Sequence, residues 1–310
     1  MTHLSHNERT IVVTALKHAA PYIRMFKRKV FVLKAGGEAF LSPTTTKAIV
    51  EQISILHEVG INVVVVHGGG PQSTKLAKEK NIPLKIIDGR RVTNGETLAV
   101  MAKVLNEQIN PMIQAAFADL GVPTVGIAGS EARVIKAHKR PPTDGAGPNG
   151  ETIDYGFVGN IDAIEAGILL GHIANSVVPI ISPMAVDENG TLLNINADTV
   201  AAAVASALGA EKLILATSAP GILESRDDTR SLISYIDIAG LAKLRAEGRI
   251  ADGMLPKAAA IEKALTSGVP RVHVISSELR DSLLLEIFTN EGMGTLVVND
   301  IEHLSPAEQT

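Results

Sequence analysis

The 310-residue sequence predicts an α/β fold built on a mostly parallel sheet, and three observations lead there. Six apolar runs punctuate the chain: VFVL (30–33), NVVVV (62–66), TVGIA (124–128), VVPIIS (177–182), KLILAT (212–217) and RVHVIS (271–276). Each is continuously apolar rather than alternating, as strands covered on both faces must be. Segments of helical length separate several of them, which parallel pairing requires, and strand twist makes each crossover right-handed.

The elements follow in order. Val12, Leu16, Ala19, Ile23 and Phe26 recur every three or four residues and mark an amphipathic first helix, with Asn7 as its expected cap. Pro21 falls inside this stripe, where a proline kinks or breaks a helix. The helix precedes the first strand and joins no two strands. Two readings are open: it folds back on its own domain, or it is exchanged with a neighbouring subunit. Further on, residues 139–152 (KRPPTDGAGPNGET) are rich in proline and glycine and read as a loop or hairpin tip. The GAGPNG inside it matches G-x-G-x-x-G by form only, since no strand leads in directly and no helix opens after it.

Composition removes whole classes of function. A formal charge of −4 gives no bias toward nucleic acid, and 3% aromatic residues without tryptophan leave no base-stacking platform. No apolar run reaches the ~18 residues that span a bilayer, and MTHLSHNERT has no apolar signal core. The lack of cysteine excludes disulfides, thiolate metal sites and cysteine nucleophiles. No H-E-x-x-H or G-x-S-x-G motif occurs, and the nine histidines are scattered, so no resident metal site is expected. A cytoplasmic protein that binds neither nucleic acid nor membrane is the expectation.

Five stretches carry chemistry. In KVFVLKAGGEAF (29–40), Lys34 stands at a strand end before Gly36 and Gly37. Two glycines let a ligand approach the backbone and turn N–H groups toward an anion, while the lysine adds a point charge. The order is not that of a P-loop, in which lysine follows the glycines. In VVVVHGGGPQ (63–72) an apolar strand ends in His67, then Gly68, Gly69 and Gly70, a second backbone-lined anion site. His67 reads as a packing or hydrogen-bonding residue rather than a catalyst. In GRRVTN (89–94), Arg90 or Arg91 suits bidentate binding of a carboxylate. In NGTLLNINADTV (189–200), Asn194, Asn196 and Asp198 alternate just before an apolar helix; one of them caps it, or the three converge on a ligand and neighbouring lysines. In DGMLPK (252–257), Lys257 lies near a helix start, where a cation opposes the helix dipole unless an anion compensates.

Together these stretches resemble the amino-acid kinase family, in particular its members that phosphorylate N-acetyl-L-glutamate. The likeness covers nearly the whole chain, since KAGGEAF, VVVVHGGGPQ, GRRVT, YGFVGNI, NINADT, AEKLILAT, DGMLPK and LLLEIFTNEGMGTLV agree in order and spacing. The resemblance implies a three-layer αβα sandwich. It implies a kinked N-terminal helix for oligomerisation (1–27), a lobe for the amino-acid substrate (28–209) and a nucleotide lobe (210–310). Lys34 and Lys257 match the phosphate-handling lysines, and Asp198 the aspartate that orients them. Gly68, Gly69, Arg91 and Asn194 match the substrate side; Gly36, Gly37, Ser218, Gly253 and Met254 match the nucleotide and phosphate side. ATP and Mg²⁺ are the implied cofactors. In arginine-sensitive members such a helix links dimers into a hexamer, and Tyr22, Glu291, Gly292 and Gly294 match the inhibitor pocket beside it.

The implied chemistry needs few groups. A side-chain carboxylate, with an ordinary pKa of about 4.3, is already ionised at neutral pH and requires no general base. Bringing it to a triphosphate demands positioning and charge neutralisation. Two stretches depart from the family pattern. ATSAPG (216–221) has Ser218 where an aspartate is usual on the nucleotide side, and GSEA (129–132) replaces a Gly-Lys-Asp on the substrate side. Two alternatives stay open: an arginine-sensing kinase-like domain, as in acetylglutamate synthases, or a kinase for a related acidic amino-acid derivative. Against the first, Lys34, Asn194, Asp198 and Lys257 are all retained, and with the sequence ending at Thr310 no acetyltransferase domain is expected.

Overall fold

The computed structural model describes residues 5–87, 89–144, 150–225, 228–250, 253–290 and 292–303. In chain order, α1 (His6–Phe26) leads into β1 (Val30–Ala35), α2 (Pro43–Glu58), β2 (Asn62–His67) and α3 (Gly70–Glu79). A hairpin of β3 (Lys85–Ile87) and β4 (Arg90–Val92) precedes α4 (Gly95–Ala102), a π-helical stretch (Lys103–Ile109) and α5 (Asn110–Ala118). Next come β5 (Thr124–Ala128), β6 (Ile135–Lys139), β7 (Gly159–Ile164), α6 (Ala166–Ala174), β8 (Val178–Ser182), β9 (Met184–Val186), β10 (Leu192–Asn194) and α7 (Ala197–Ala207). The chain continues through β11 (Lys212–Thr217), β12 (Tyr235–Asp237), α8 (Ile238–Ala246), α9 (Met254–Thr266), β13 (Arg271–Ser276), α10 (Ser282–Phe288) and β14 (Thr295–Val298).

Eight strands form one sheet in the order β12-β14-β13-β11-β1-β2-β8-β5, parallel throughout except between β13 and β14. All six apolar runs are strands of this sheet. Successive residues of its central strands enter opposite cores. Val32, Val64, Leu213 and Leu215 pack with Val200, Ala201 and Ile261 of α7 and α9. Phe31, Leu33, Val63 and Ile214 pack with Ile49, Ile53, Phe117 and Leu283 of α2, α5 and α10. Three layers follow from that alternation, and each fully buried aliphatic side chain contributes roughly 1.5–3 kcal/mol of hydrophobic stabilisation. A second sheet, β10-β9-β6-β7, lies apart from the first. β6 and β7 pair antiparallel, and Thr143 bridges Ile153, so the described residues on either side of 145–149 form the two arms of a hairpin. Residues 145–149 of GAGPNG lie outside the described residues.

The first helix departs from expectation at its cap, and of the two outcomes expected at Pro21 it does not show the break. Its cap is Ser5, not Asn7. The Ser5 hydroxyl accepts the Glu8 N–H at 3.3 Å and the Glu8 carboxylate accepts the Ser5 N–H at 2.7 Å, a reciprocal box that Asn7, already inside the helix, has no way to form. Nor does Pro21 break the helix, which runs from His6 to Phe26. A proline deletes one main-chain bond, and the flanking turns hold. The apolar stripe divides in two. Phe26 is buried against Phe31, while Val12 and Leu16 are 54% and 63% exposed.

Candidate active site

The topology selects the site. From β1 the chain lays β2, β8 and β5 to one side, and α7 then returns it to place β11 on the other. Open α/β sheets bind ligands beyond the carboxyl ends of the strands at such a reversal. Lys34 is the penultimate residue of β1, in register with Val66 of β2 and Leu215 of β11. It therefore opens onto the rim where the sheet changes direction.

Three charged side chains from three elements meet there. Lys34 Nζ and Lys257 Nζ each lie 3.0 Å from the same oxygen, Oδ1 of Asp198. Lys34, Asp198 and Lys257 are only 9%, 6% and 5% exposed, so water does not balance their charges. Asp198 sits in the first turn of α7, where the helix dipole favours an anion, and Asn196 is the cap, accepting the Thr199 N–H at 3.1 Å. Lys257 comes from the opposite direction, in the first turn of α9, which packs on α7. Burial alone would raise the Asp198 carboxyl, but the two ammonium groups outweigh it and hold the carboxyl far below the usual range. Burial, then Lys34, weakens the hold of Lys257 on its proton, and Asp198 opposes both. Among buried groups the cluster carries two cations against one anion; the exposed Glu38, which also acts on Lys257, is a further carboxylate on the cleft. A buried surplus cation is costly unless an anion joins it.

Two glycine turns face this surplus charge. Gly36 ends the turn after β1, and Gly69 starts α3 after β2. The turns touch: a Cβ on Gly37 would lie 3.1 Å from Gly69 Cα and 2.6 Å from Gln72 Oε1. A Cβ on Gly68 would lie 3.3 Å from Gly37 N. Gln72 locks them together, donating from Nε2 to the carbonyls of Gly37 and Phe40 at 2.7 and 3.1 Å. The first N–H groups of a helix have no carbonyl within it, so the start of α3 presents free donors.

A cleft of about 950 Å³ opens over these groups, lined by Lys34, Gly36, Gly37, Gly68, Gly69 and Asp198. Arg91 and Asn194 share its wall. Arg91 Nη2 donates to Thr74 Oγ1 at 2.9 Å, while its Nη1 is buried with no partner. Asn194 donates to Thr93 Oγ1 at 3.2 Å and is buried at the end of β10. A guanidinium with an unused donor, in the lining of the cleft that Lys34 also lines, suits a carboxylate.

The sequence pattern of the amino acid kinase family matches residues 29–276, four-fifths of the chain. The chain belongs to the amino-acid kinase family. Acetylglutamate kinase of Myxococcus xanthus is 41% identical over 290 residues, covering 93% of this chain and 94% of the relative. Acetylglutamate kinase of Archaeoglobus fulgidus is 40% identical over 285 residues, covering 92% and 98%. Among solved structures, N-acetylglutamate synthase from Neisseria gonorrhoeae with coenzyme A and N-acetylglutamate superposes with a TM-score of 0.81 at 25% identity. The same synthase with coenzyme A and L-arginine gives 0.78 at 23%. The chain matches 63% and 65% of those two structures' own length, the shared part being the kinase fold.

Not every residue singled out from the family pattern lies on the cleft. Ser218 is exposed at the carboxyl end of β11, Gly253 is the exposed cap of α9, and Met254 packs beside the core. None of the three lines the cavity, and neither does Lys257, which meets it through Asp198. Tyr22 lies at the far end of α1, where its hydroxyl donates to the Asn290 side chain and its ring meets Phe288 edge-on. Gly292 has φ of 60°, a left-handed conformation that suits glycine, and a Cβ on Gly294 would strike the Val274 carbonyl at 2.2 Å. Glu291 lies outside the described residues.

One buried group escaped the sequence reading. Lys212 Nζ lies 2.8 Å from His273 Nε2, and His273 Nδ1 lies 2.6 Å from Glu286 Oε1. The other oxygen of Glu286 accepts the N–H groups of Met293 and Gly294 at 2.6 and 3.0 Å. Its members come from β11, β13 and α10, and nothing in their spacing announces the meeting. Gln72, Thr93 and Asn110 were also missed, because a polar residue that holds a loop has no motif of its own.

Proposed function

We propose that this enzyme transfers the terminal phosphoryl group of ATP to the side-chain carboxylate of N-acetyl-L-glutamate, giving an acyl phosphate for arginine biosynthesis. The observation that carries this is the pair of buried lysines sharing one carboxylate oxygen beside two touching glycine turns. The arrangement carries two buried cations against one buried carboxylate, with the exposed Glu38 nearby, and it borders a cleft also lined by Arg91 and Asn194. The two acetylglutamate kinases, 40–41% identical over nearly their full length, supply the substrate.

In this reading residues 28–209 hold the amino acid and residues 210–310 hold the nucleotide. Arg91 and Asn194 take the α-carboxylate end of the substrate, and Gly68 and Gly69 seat the reacting carboxylate. Gly36, Gly37 and Lys34 take the phosphoryl group from one side and Lys257 from the other, with Asp198 fixing both ammonium groups. Ser218, Gly253 and Met254 serve the nucleotide along the rim. Among the described residues no group of three or more His, Asp or Glu could hold a metal ion, so Mg²⁺ is read as part of the nucleotide substrate. The donors hold charge as it moves between oxygens, and no side chain removes a proton.

The test is to trap the product with hydroxylamine, given ATP and Mg²⁺. Hydroxamate should form with N-acetylglutamate and not with glutamate or N-acetylaminoadipate. Product from aminoadipate alone would move the substrate to a related acid. No product from any acid, together with arginine binding, would make the domain a sensor. The retained, converging lysines and the kinase relatives speak against that outcome.

The exposed Val12 and Leu16 favour a first helix that pairs with another subunit, linking dimers into a hexamer. The Tyr22–Asn290 contact puts that helix beside Gly292 and Gly294, where arginine would act as an inhibitor. Removing residues 1–26 should reduce the particle to a dimer by light scattering and abolish arginine inhibition; an unchanged hexamer would refute the assembly.

A further inference from the structure

A buried chain of hydrogen bonds ends on the glycine turn after β2. His67, the last residue of that strand, is 0% exposed and so does not touch substrate. Its Nδ1 lies 3.3 Å from the Gly68 carbonyl oxygen, a contact in which Nδ1–H donates. Its Nε2 lies 3.3 Å from Asn110 Nδ2. The Asn110 amide is itself oriented from both ends: Nδ2 donates to the Ile180 carbonyl at 2.9 Å and Oδ1 accepts from Gln114 Nε2 at 2.9 Å. With the Asn110 nitrogen donating on one side and a carbonyl on the other, only the neutral tautomer protonated at Nδ1 satisfies both contacts. Burial, which pushes the imidazole pKa down to about 4, agrees with a neutral ring.

Two further features surround the same chain. Asn110 follows directly on the π-helical stretch Lys103–Ile109, a rare geometry that tends to occur at functional sites. Leu105 and Ile109 press on the turn: a Cβ on Gly69 would lie 2.8 Å from each. On the opposite side, a Cβ on Gly126 of β5 would come within 2.2 Å of both Asn110 Oδ1 and Gln114 Nε2. The strand is bare where the relay crosses it.

We propose that His67 and Asn110 are positioning residues for phosphoryl transfer, holding the Gly68 carbonyl inward so that the N–H groups after it face the cleft. The proposal rests on the reading above that Gly68 and Gly69 serve the reacting groups. An N–H displaced by about 1 Å costs on the order of a hundredfold in rate without much change in ground-state binding. A relay that only stabilised the core would instead change folding and leave turnover per folded enzyme alone.

The experiment compares His67→Asn, His67→Gln and Asn110→Leu by hydroxamate assay and thermal melting. The asparagine amide nitrogen takes the place of Nδ1 and keeps the donor to Gly68; the glutamine nitrogen takes the place of Nε2 and loses it. His67→Gln and Asn110→Leu should lower kcat by about tenfold or more with KM for both substrates within about threefold. His67→Asn should stay within about threefold of the parent, whatever the order of melting temperatures. Turnover that follows melting temperature, or equal loss in the two His67 variants, would overturn the proposal. Should these variants fail to fold, Gln114→Met frees the Asn110 amide one bond further out. It should lower kcat about threefold, and an unchanged kcat would count as refutation. Absence of hydroxamate from the unaltered enzyme would instead refute the functional reading itself.

Discussion

Two buried polar clusters lie along the same sheet, and their charge balance separates them. Lys34, Asp198 and Lys257 place two cations on one carboxylate oxygen; Lys34 and Asp198 line an open cleft, which Lys257 meets through Asp198. Lys212, His273 and Glu286 form a closed run in which lysine meets imidazole, imidazole meets carboxylate, and the second carboxylate oxygen takes two main-chain N–H groups. Lys212 also lies 5.1 Å from the Phe26 ring, tying the run to α1. The closed cluster joins β11, β13, α10 and the segment before β14, and it needs no visitor. The open one has two buried cations to one buried carboxylate, with only the exposed Glu38 beside them. Burial is similar in the two, so burial alone does not mark a site; an unmet charge facing a cavity does.

The comparison breaks most visibly if a lysine is removed from each. Lys257→Ala, like Lys34→Ala, should lower turnover by about a hundredfold or more, the usual consequence of deleting a donor that acts in the transition state. The fold should tolerate it, because Asp198 retains its other lysine. Full turnover in either variant, measured by steady-state kinetics, would remove the open cluster from the chemistry.

The closed cluster should answer in the opposite currency. Glu286→Ala leaves the Met293 and Gly294 N–H groups and the His273 ring without their acceptor, at a cost of about 3 kcal/mol of folding stability. Turnover of the folded fraction should stay within about twofold, since Glu286 touches neither glycine turn. Denaturant unfolding beside kinetics checks both halves, and a hundredfold loss of kcat without loss of stability would erase the distinction.

The same contrast explains what was legible in the sequence. Strands buried on both faces write themselves as apolar runs, which is why all six were found. Three-residue strands such as β3, β4, β9, β10 and β12 carry too few residues for any period to show. Lys34, Asp198 and Lys257 each looked odd locally: a lysine beside glycines, an aspartate at a helix start, a cation at the wrong end of a dipole. That oddness is the trace of a charge satisfied elsewhere, and family resemblance joined the three. His273 and Glu286 looked ordinary because their charges are met within the protein. By residue type Asn7 and Ser5 both suit a cap, but only Ser5 has a glutamate three residues on that completes the box.

The smallest expected effect tests the buried imidazole of His67, which belongs to neither charged cluster. Its neighbours are the Gly68 carbonyl, the Asn110 amide and the Phe40 ring, none of them charged. Burial lowers its pKa from 6.5 to about 4 in the folded protein. In the unfolded chain it returns to about 6.5, so the unfolded state takes up the proton first as the solution is acidified. The stabilisation is therefore complete above pH 6.5, declines as pH falls, and levels off near 4. Between pH 7 and pH 5 the loss from this one group should be about 2 kcal/mol. His273, also buried with a pKa of about 4, adds a similar slope. Urea unfolding of the parent and of His67→Asn at both pH values isolates the His67 share, because His273 is present in each. A difference of differences near zero would mean that His67 takes up its proton as readily folded as unfolded, and that burial does not favour its neutral form.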